Sequence, residues 1–280
     1  MKTIESLSEM RAFAAELKAT GQKIALVPTQ GALHRGQEAL IRAAVARAEI
    51  VVVSIFVNPL QFGSNEHVAK YPRSFEQDIA LCAACGAHVI FAPKTEEFYP
   101  PGFSTQVTED AIAKYLCGPS RPGHFRGVAT MMAKMFILVQ PDYAFFGQKT
   151  AQRAAVVRKM SADLGFSVEV LVVPTVREDD GLAVGVRNRE FSPTLRQESL
   201  ALSKALKKAK EMSDSGVRST DRIIAEATHI LGNHRRVRIV YVAIVDVATL
   251  EPAREVVPEK TMLAIAAWVD EVRVIDNVVL

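Results

Sequence analysis

The sequence has few cysteines, no long apolar run and no excess of one charge. Three cysteines in 280 residues, an odd number, fit a reducing cytoplasm better than a disulfide framework. No apolar stretch approaches the roughly 20 residues that span a bilayer, and residues 1–5 lack the apolar core of a secretory signal. The 34 basic and 31 acidic residues nearly balance, which argues against nucleic acid or a membrane as the principal partner. We expect a cytoplasmic protein that acts on small molecules.

Two further absences limit the catalytic mechanisms and metal sites that the sequence supports. The chain has no GxSxG nucleophile elbow and no Cys–His signature, so a covalent route has no candidate nucleophile. Cys82 and Cys85 have CxxC spacing, but no second ligand pair accompanies them, and residues 74–86 have helical periodicity. We therefore interpret both as buried or half-buried helix cysteines rather than as redox or zinc ligands.

The first part of the chain alternates β-branched apolar runs with helical patterns. Strands are predicted over 23–28, 50–57, 88–92, 143–146 and 167–173, and helices over 37–48, 75–85, 126–139 and 151–164. Near-continuous apolar strands are typical of a sheet that is buried on both faces. The alternation predicts an α/β fold with a doubly wound, Rossmann-like parallel sheet.

The pattern changes near residue 176. Residues 177–188 are polar and contain glycine, and helices are predicted over 193–213 and 220–231, the second with Ser219 as its N-cap. Strands are predicted over 237–247 and 263–269. We therefore expect two domains, a larger one over 1–176 and a smaller C-terminal α+β domain over 177–280.

Four distinctive loops follow predicted strands, over 29–36, 58–63, 93–103 and 147–150. In a parallel sheet these loops lie at one edge, where such folds bind ligands. The first loop, in VPTQGALHRGQ, joins a strand to a helix N-terminus, whose N–H groups and dipole favour an anion. Its His-x-Gly resembles the HxGH signature of nucleotidyl-transferring ligases, with Gln37 at the second histidine.

Seven segments in order resemble the pantothenate synthetase (pantoate–β-alanine ligase) family. They are VPTQGALHRG (27–36), VSIFVNPLQFG (53–63), YPPGF (99–103), CGPSRPGHFRGVAT (117–130), VQPDYAFFGQK (139–149), VPTVREDDGLAV (173–184) and IDNV (275–278). The resemblance implies the fold of HxGH nucleotidyltransferases. It also implies a homodimer formed through the larger domain, with a mobile smaller domain that closes over the nucleotide.

The resemblance implies an ATP-dependent, AMP-forming ligase. Such an enzyme uses ATP and Mg²⁺ to convert pantoate to an acyl-adenylate, releases pyrophosphate, and passes the acyl group to β-alanine. A carboxylate becomes a useful electrophile only when its oxygen belongs to a phosphate leaving group, so the enzyme must offset triphosphate charge and align two reactants. The 99–102 loop is a candidate lid that excludes water from the adenylate.

The resemblance also assigns roles to residues of this chain. His34, Lys149 and Arg187 correspond to the catalytic phosphate contacts. The implied nucleotide site comprises Thr29, Gln30, Gly31, His34, Gly36, Gln37, Gly147, Lys149, Thr150, Val176, Val184, Gly185, Val186 and Arg187. The implied acid and amine sites comprise Asn58, Gln61, Arg121, His124, Arg126, Gln152 and Arg153.

Several of these positions depart from the family pattern. The family has methionine at 30, histidine at 37, aspartate at 150, glutamine at 153 and serines at 185 and 186, where this chain has Gln30, Gln37, Thr150, Arg153, Gly185 and Val186. Gln37 keeps a hydrogen-bond donor but cannot become cationic. Each lost charge-assisted hydrogen bond is worth about 1.5–3 kcal/mol. Arg153 either meets a carboxylate or phosphate in the acid pocket or turns outward into solvent.

Three functions remain open at this point. The first is the ligase, with pantoate and β-alanine as the default pair. The second is a diverged relative that uses another acid, amine or phosphate donor, or that no longer uses ATP. The third is a non-catalytic protein that binds a small acid or nucleotide, which binding without turnover would reveal.

Overall fold

The computed structural model describes residues 1–63 and 68–280, which fold into two compact units. The first unit comprises Met1–Asp110, Arg121–Gly147 and Val156–Pro174. The second comprises Ala111–Ser120, Gln148–Ala155 and Thr175–Leu280. Two segments that precede residue 176 in the sequence, 111–120 and 148–155, thus cluster with the C-terminal part of the chain.

The first unit is built on a six-stranded parallel sheet. Its strands are β1 (Lys2–Ile4), β2 (Ile24–Thr29), β3 (Ile50–Ile55), β4 (Val89–Phe91), β5 (Tyr143–Gly147) and β6 (Glu169–Val173). The spatial order is β1-β4-β3-β2-β5-β6, and every neighbouring pair is parallel. From β2 the chain builds β3 and β4 on one side and β5 and β6 on the other. The carboxyl end of β2 is therefore at the switch point, where doubly wound sheets bind ligands.

The helices follow the strands in the chain. They are α1 (Leu7–Ala19), α2 (Arg35–Val45), α3 (Phe75–Ala84), α4 (Thr95–Phe98), α5 (Cys117–Ser120), α6 (His124–Val139), α7 (Ala151–Asp163), α8 (Pro193–Asp214) and α9 (Thr220–Gly232). In the first unit, α2 packs against β2, β3 and β5, and α1 packs against α6. Residues 24–27 of β2 are all fully buried, so both faces of the sheet are covered. The predicted doubly wound α/β sheet is confirmed.

The second unit contains a three-stranded antiparallel sheet. Its strands are β7 (Val237–Asp246), β8 (Thr261–Val269) and β9 (Val272–Val279), in that order, with β8 in the centre. One face of α8 and of α9 joins the core of this unit, with Leu206, Ile223 and Ile265 among the most buried side chains. The predicted smaller α+β fold of the C-terminal part is confirmed.

The structure adds elements that the sequence patterns did not predict, namely β1, α1, the short helices α4 and α5, and β9. In β9 the apolar residues alternate with Arg273 and with two buried polar residues, Asp276 and Asn277, which weakens the apolar signal. Two helices also begin earlier than predicted, α2 at residue 35 rather than 37 and α6 at 124 rather than 126, while β3 ends at 55 rather than 57. Helix ends depend on capping contacts that periodicity does not report.

Cys82 and Cys85 are buried, on α3 and at its C-cap, and both are free thiols. Burial raises the pKa of Cys82 to about 12, so this thiol stays protonated at neutral pH. Across the two described ranges, no helix combines the length and apolar character needed to cross a bilayer.

Candidate active site

The turn between β2 and α2 is fixed by side chains that bind its main chain. The Thr29 hydroxyl donates to the Ser54 carbonyl (2.7 Å) and accepts the Gly31 N–H (3.3 Å). Gly31 and Ala32 both have positive φ, at 84° and 50°. Glycine adopts this left-handed region freely, whereas alanine does so only when its surroundings impose it. The turn is therefore held in a specific, partly strained shape.

Asp78 of α3 supplies that constraint. Its carboxylate is 2% exposed and accepts the N–H groups of Ala32 (2.9 Å) and Leu33 (2.8 Å), together with the Ser74 hydroxyl (3.1 Å). A buried carboxylate is costly unless its oxygens are satisfied, and here three donors satisfy them. Asp78 thus fixes the main-chain N–H groups of the two residues before His34, although it is distant in sequence.

His34 is the N-cap of α2 and takes part in a capping box. Its ring Nδ1 accepts the Gly36 N–H (3.1 Å), and the Gln37 Oε1 accepts the His34 main-chain N–H (3.1 Å). Because Nδ1 is an acceptor, the neutral ring carries its proton on Nε2. A Cβ on residue 36 would lie 2.8 Å from His34 Cε1 and 2.9 Å from Nδ1, so Gly36 is needed for this ring position.

The turn borders a cavity of about 530 Å³ in the first unit, within the size range of small-molecule sites. Gln30, Gly31 and Asp78 line it together with Ile55 and Phe56 of the neighbouring strand end. Gln30 is partly exposed. The loops after β2 and β3 therefore meet at a concave surface, as their position at the carboxyl edge of the sheet predicts.

A second group in the first unit unites four of the residues assigned to the acid and amine sites. Asn58 is fully buried, and its Nδ2 donates to the Gly127 carbonyl (3.0 Å) and lies 3.4 Å from Gln61 Oε1. His124 Nδ1 donates to the Gln61 carbonyl (2.8 Å), so the neutral ring accepts at Nε2, where Arg121 donates (3.0 Å).

Tyr99 adds a contact to this group, because its hydroxyl donates to Asn58 Oδ1 (2.9 Å). Burial raises the pKa of Tyr99, so it stays a neutral donor. Its ring packs against Phe56, Phe98 and Phe103. Arg126, also assigned to this group, lies on the exposed side of α6. The role of the 99–102 loop as a lid stays a prediction.

Lys149 lies in the second unit, in a short 3₁₀ turn over Gln148–Thr150. Its Nζ donates to the carbonyls of Ala183 (3.1 Å) and Val184 (3.0 Å). Burial lowers the pKa of Lys149 by removing water from the ammonium group. Gly147, immediately before this turn, and Thr150, its last residue, are both partly exposed.

The main chain around Lys149 is tied to β9. The Gln148 amide donates to Asn277 Oδ1 (2.8 Å), and the Asn277 amide donates back to the Gln148 carbonyl (2.8 Å). Next to Asn277, the buried Asp276 carboxylate accepts two hydrogen bonds from the Arg177 guanidinium (2.6 and 3.2 Å). The sequence did not identify these four residues, although IDNV belongs to the segments that carry the resemblance.

The segment from Val176 to Arg187 forms a hairpin-like turn in the second unit. The Val184 N–H donates to the Val176 carbonyl (2.9 Å), so two residues of the implied nucleotide site are adjacent. A 3₁₀ turn over Val186–Glu190 follows, with Gly185 as an N-cap that makes no side-chain capping bond. Arg187 is exposed on this turn, and Val186 is partly exposed.

Gln152 is buried among main-chain groups of the second unit. Its amide accepts the Cys117 N–H (2.9 Å) and donates to the carbonyls of Ile112 (3.3 Å) and Tyr115 (2.6 Å). These contacts tie the start of α7 to the 111–120 segment. Substrate binding by Gln152 stays a prediction, as does the role of its partly exposed neighbour Arg153.

Several grouped His, Cys, Asp or Glu side chains are the usual mark of a metal site that a protein builds by itself. In the parts of the chain that the structure describes, no three His, Cys, Asp or Glu residues are grouped so that they could hold a metal ion. Mg²⁺ characteristically binds phosphate oxygens and water with only one or two protein carboxylates.

Comparisons with known proteins agree with these features. The model of the pantoate-beta-alanine ligase family matches residues 2–279. The chain is 47% identical over 280 residues to a pantothenate synthetase of Thermotoga petrophila, with both chains fully covered. It is also 47% identical to pantothenate synthetase 1 of Bradyrhizobium diazoefficiens, covering all of this chain and 98% of that one.

Solved structures extend the similarity to three dimensions. The pantothenate synthetase of Thermus thermophilus superposes with a TM-score of 0.94 at 42% identity, covering 99% of both chains. The pantoate-beta-alanine ligase of Francisella tularensis, complexed with beta-gamma ATP and beta-alanine, superposes with a TM-score of 0.81 at 26% identity. That match covers the whole of this chain and 97% of the other.

Proposed function

This chain belongs to the pantoate–β-alanine ligase family, and from that premise we propose that it joins pantoate to β-alanine with the cleavage of ATP. The observation that carries the proposal is the β2–α2 turn, where Asp78 and Gln37 hold His34 at a helix N-terminus. Such a site offers the positive end of a helix dipole and an imidazole donor to a triphosphate. The Francisella relative, complexed with beta-gamma ATP and beta-alanine, supports the same substrate classes.

The first step forms the acyl-adenylate. A pantoate carboxylate oxygen attacks the α-phosphorus of ATP, a new O–P bond forms, and the bond to the bridging oxygen of pyrophosphate breaks. The protein's part is to hold the two anions together and to offset charge on the leaving pyrophosphate. His34 donates from Nε2, and Lys149 and Arg187 supply positive charge. The remaining nucleotide contacts are assigned to Thr29, Gln30, Gly31, Gly36, Gln37, Gly147, Thr150, Val176, Val184, Gly185 and Val186.

The second step forms the amide. The neutral amine of β-alanine attacks the acyl carbon, AMP leaves with the electron pair of the C–O bond, and the nitrogen loses a proton. We assign the acid and amine sites to Asn58, Gln61, Arg121, His124, Arg126, Gln152 and Arg153. The hydrogen bonds among the first four of these support a preorganised site.

Three finer statements belong to the same proposal. Mg²⁺ enters as part of the MgATP substrate, because this ion characteristically binds phosphate oxygens and water with only one or two protein carboxylates. A cytoplasmic location follows from the requirement for ATP, and a homodimer follows from the family. A diverged reaction or a non-catalytic binding role is not favoured, because relatives with 47% identity over the full chain are pantothenate synthetases.

Pyrophosphate release tests the proposed function. We expect MgATP and pantoate together to release pyrophosphate, and β-alanine to make the release continuous by regenerating the free enzyme. Lys149→Met removes one cationic phosphate contact and lowers kcat/KM by about 10²-fold. Pyrophosphate release that does not depend on pantoate, or turnover by Lys149→Met at the unaltered rate, would contradict the assignment.

A further inference from the structure

The resting position of Lys149 is set by the main chain of the second unit. Its ammonium group donates to two successive carbonyls, those of Ala183 and Val184 (3.1 and 3.0 Å). Both of these residues are buried. A hydrogen bond from a charged donor in a partly dehydrated place is stronger than one to water. The carbonyls therefore compete for the ammonium group with any anion.

The ammonium group fits there because residue 185 is glycine. A Cβ at this position would lie 2.7 Å from Lys149 Nζ and 3.9 Å from its Cε. It would also lie 3.4 Å from Asn188 Oδ1, an ordinary contact distance. A separation of 2.7 Å is too short for a carbon atom beside an ammonium nitrogen, so one of the two would have to move.

The backbone of Gly185 does not itself require glycine. Its φ and ψ are −166° and 151°, an extended conformation that every residue type adopts. Gly185 also makes no side-chain cap for the 3₁₀ turn that carries Arg187, although serine at an N-cap commonly supplies one. What glycine provides here is the space that the Lys149 ammonium group occupies.

We propose that Gly185 sets nucleotide affinity by letting Lys149 dock on the 183–184 carbonyls, a position in which two of the three ammonium N–H donors are used and only one is left for a nucleotide phosphate. The inference rests on the proposed function, in which Lys149 contacts the triphosphate. The protein then exists in two states, with Lys149 docked or undocked, and the undocked state binds MgATP more tightly. The apparent affinity for MgATP is therefore lower when the docked fraction is larger. Residue 185 thus tunes nucleotide affinity through the lysine that it accommodates.

Gly185→Ala is the direct test, because it adds one carbon and no hydrogen-bonding group. We expect the Kd for MgATP, measured by calorimetry, to fall about tenfold, the shift that loss of one hydrogen bond to a charged group produces. Gly232→Ala is the matched control. It makes the same change at the end of α9, where a Cβ meets nothing within 4 Å, and leaves the Kd unchanged.

The reactivity of Lys149 supplies a readout that does not require nucleotide. The labelling is measured at about pH 10.5, where much of the amine is neutral in either state, so that accessibility rather than protonation decides the rate. A docked, buried amine then reacts slowly with an acylating reagent, and Gly185→Ala speeds labelling of Lys149, measured by peptide mass spectrometry. Gly232→Ala does not change the labelling rate. Gly185→Ser produces the same gain in reactivity and also caps the 3₁₀ turn.

A double-mutant cycle separates docking from an unrelated change at residue 185. In a Lys149→Met background, Gly185→Ala no longer alters the Kd for MgATP. The inference is overturned if Gly185→Ala leaves both Kd and labelling unchanged, or if its effect persists without the lysine. If the unaltered protein fails to bind MgATP, the proposed function fails, while the labelling rates alone still decide whether Gly185 permits docking.

Discussion

Two loops that carry assigned phosphate contacts are stabilised in opposite ways. At the β2–α2 turn, Asp78 and Gln37 bind main-chain N–H groups, so side-chain acceptors satisfy the backbone and fix His34. In the second unit, the charge of Lys149 is itself directed at two backbone carbonyls. The first arrangement orients the His34 imidazole so that it can donate to a ligand. In the second, the Lys149 ammonium group donates to the protein's own carbonyls.

Because of this difference, substitutions at the two loops are expected to affect nucleotide binding in opposite directions. A preorganised donor has little to gain from substitution, since most changes there misplace it. A docked cation can bind a ligand more tightly, since removal of its internal partners makes it available. We therefore expect losses at the first loop and gains at the second.

Asp78→Asn is expected to break the first arrangement most severely. The amide presents an NH₂ group to main-chain N–H donors, so at least one of the Ala32 and Leu33 N–H groups loses its acceptor. A buried network of this kind costs about 2–4 kcal/mol when it is disrupted. We expect a melting temperature about 5–10 °C lower. We also expect a kcat/KM for pyrophosphate release about 10²-fold lower, because His34 moves.

Ser74→Ala is the matched control for Asp78. It removes one hydrogen bond from the same carboxylate but leaves both turn amides satisfied. The expected cost is about 1 kcal/mol of stability with little change in kcat/KM. A lower melting temperature in Asp78→Asn with kcat/KM as little changed as in Ser74→Ala would show that Asp78 acts only on folding stability.

Two substitutions of Gln37 separate its capping of the His34 N–H from the effect of charge at this turn on nucleotide binding. Gln37→Glu keeps an oxygen that accepts the His34 N–H, so we expect unchanged melting temperature. Its negative charge beside the triphosphate raises the Kd for MgATP about tenfold. Gln37→Met removes the cap, costs about 1 kcal/mol of stability and affects the Kd less. A larger effect on Kd from methionine than from glutamate would show that the Gln37 amide itself binds phosphate.

Much of this comparison could be predicted from the sequence, because its signals are local. The apolar runs over 23–28 and 50–57 indicated two central strands, and the glycines before residue 37 marked the turn. The loops that follow these strands were expected to lie side by side, because the carboxyl ends of parallel strands meet at the same edge of a sheet. Residues within a few positions of one another, such as His34 and Gln37, were recognised together.

The residues that hold the loops were missed because their contacts are not local. Asp78 binds a turn 45 and 46 positions earlier, and Asn277 binds Gln148 across 129 positions. One signal for Asp78 was available. It shares a helix face with Cys82 and Cys85, so a carboxylate lies on a predicted apolar face and needs buried donors. The internal hydrogen bonds of Lys149 had no signal in the sequence.

Among these substitutions, that of Asp142 is expected to have the smallest effect. Its partners Lys18 and Lys23 donate to a carboxylate, whereas Lys149 donates to main-chain carbonyls. Burial alone would raise the pKa of Asp142, but hydrogen bonds from Lys18, the Ile24 N–H and Lys23 lower it below 3.8. A lowered folded-state pKa stabilises the protein above the pKa of the unfolded chain, and the contribution is lost as pH falls through the folded value. We expect Asp142→Asn to cost about 1 kcal/mol at pH 6, discounted for the exposed Lys23, and progressively less below about pH 4. Urea unfolding from about pH 6 to below pH 4 measures the free energy of unfolding of the unaltered protein and of Asp142→Asn, and we expect the two values to converge as the pH falls. A difference that stays constant across this range would show that the charge of Asp142 does not contribute to stability.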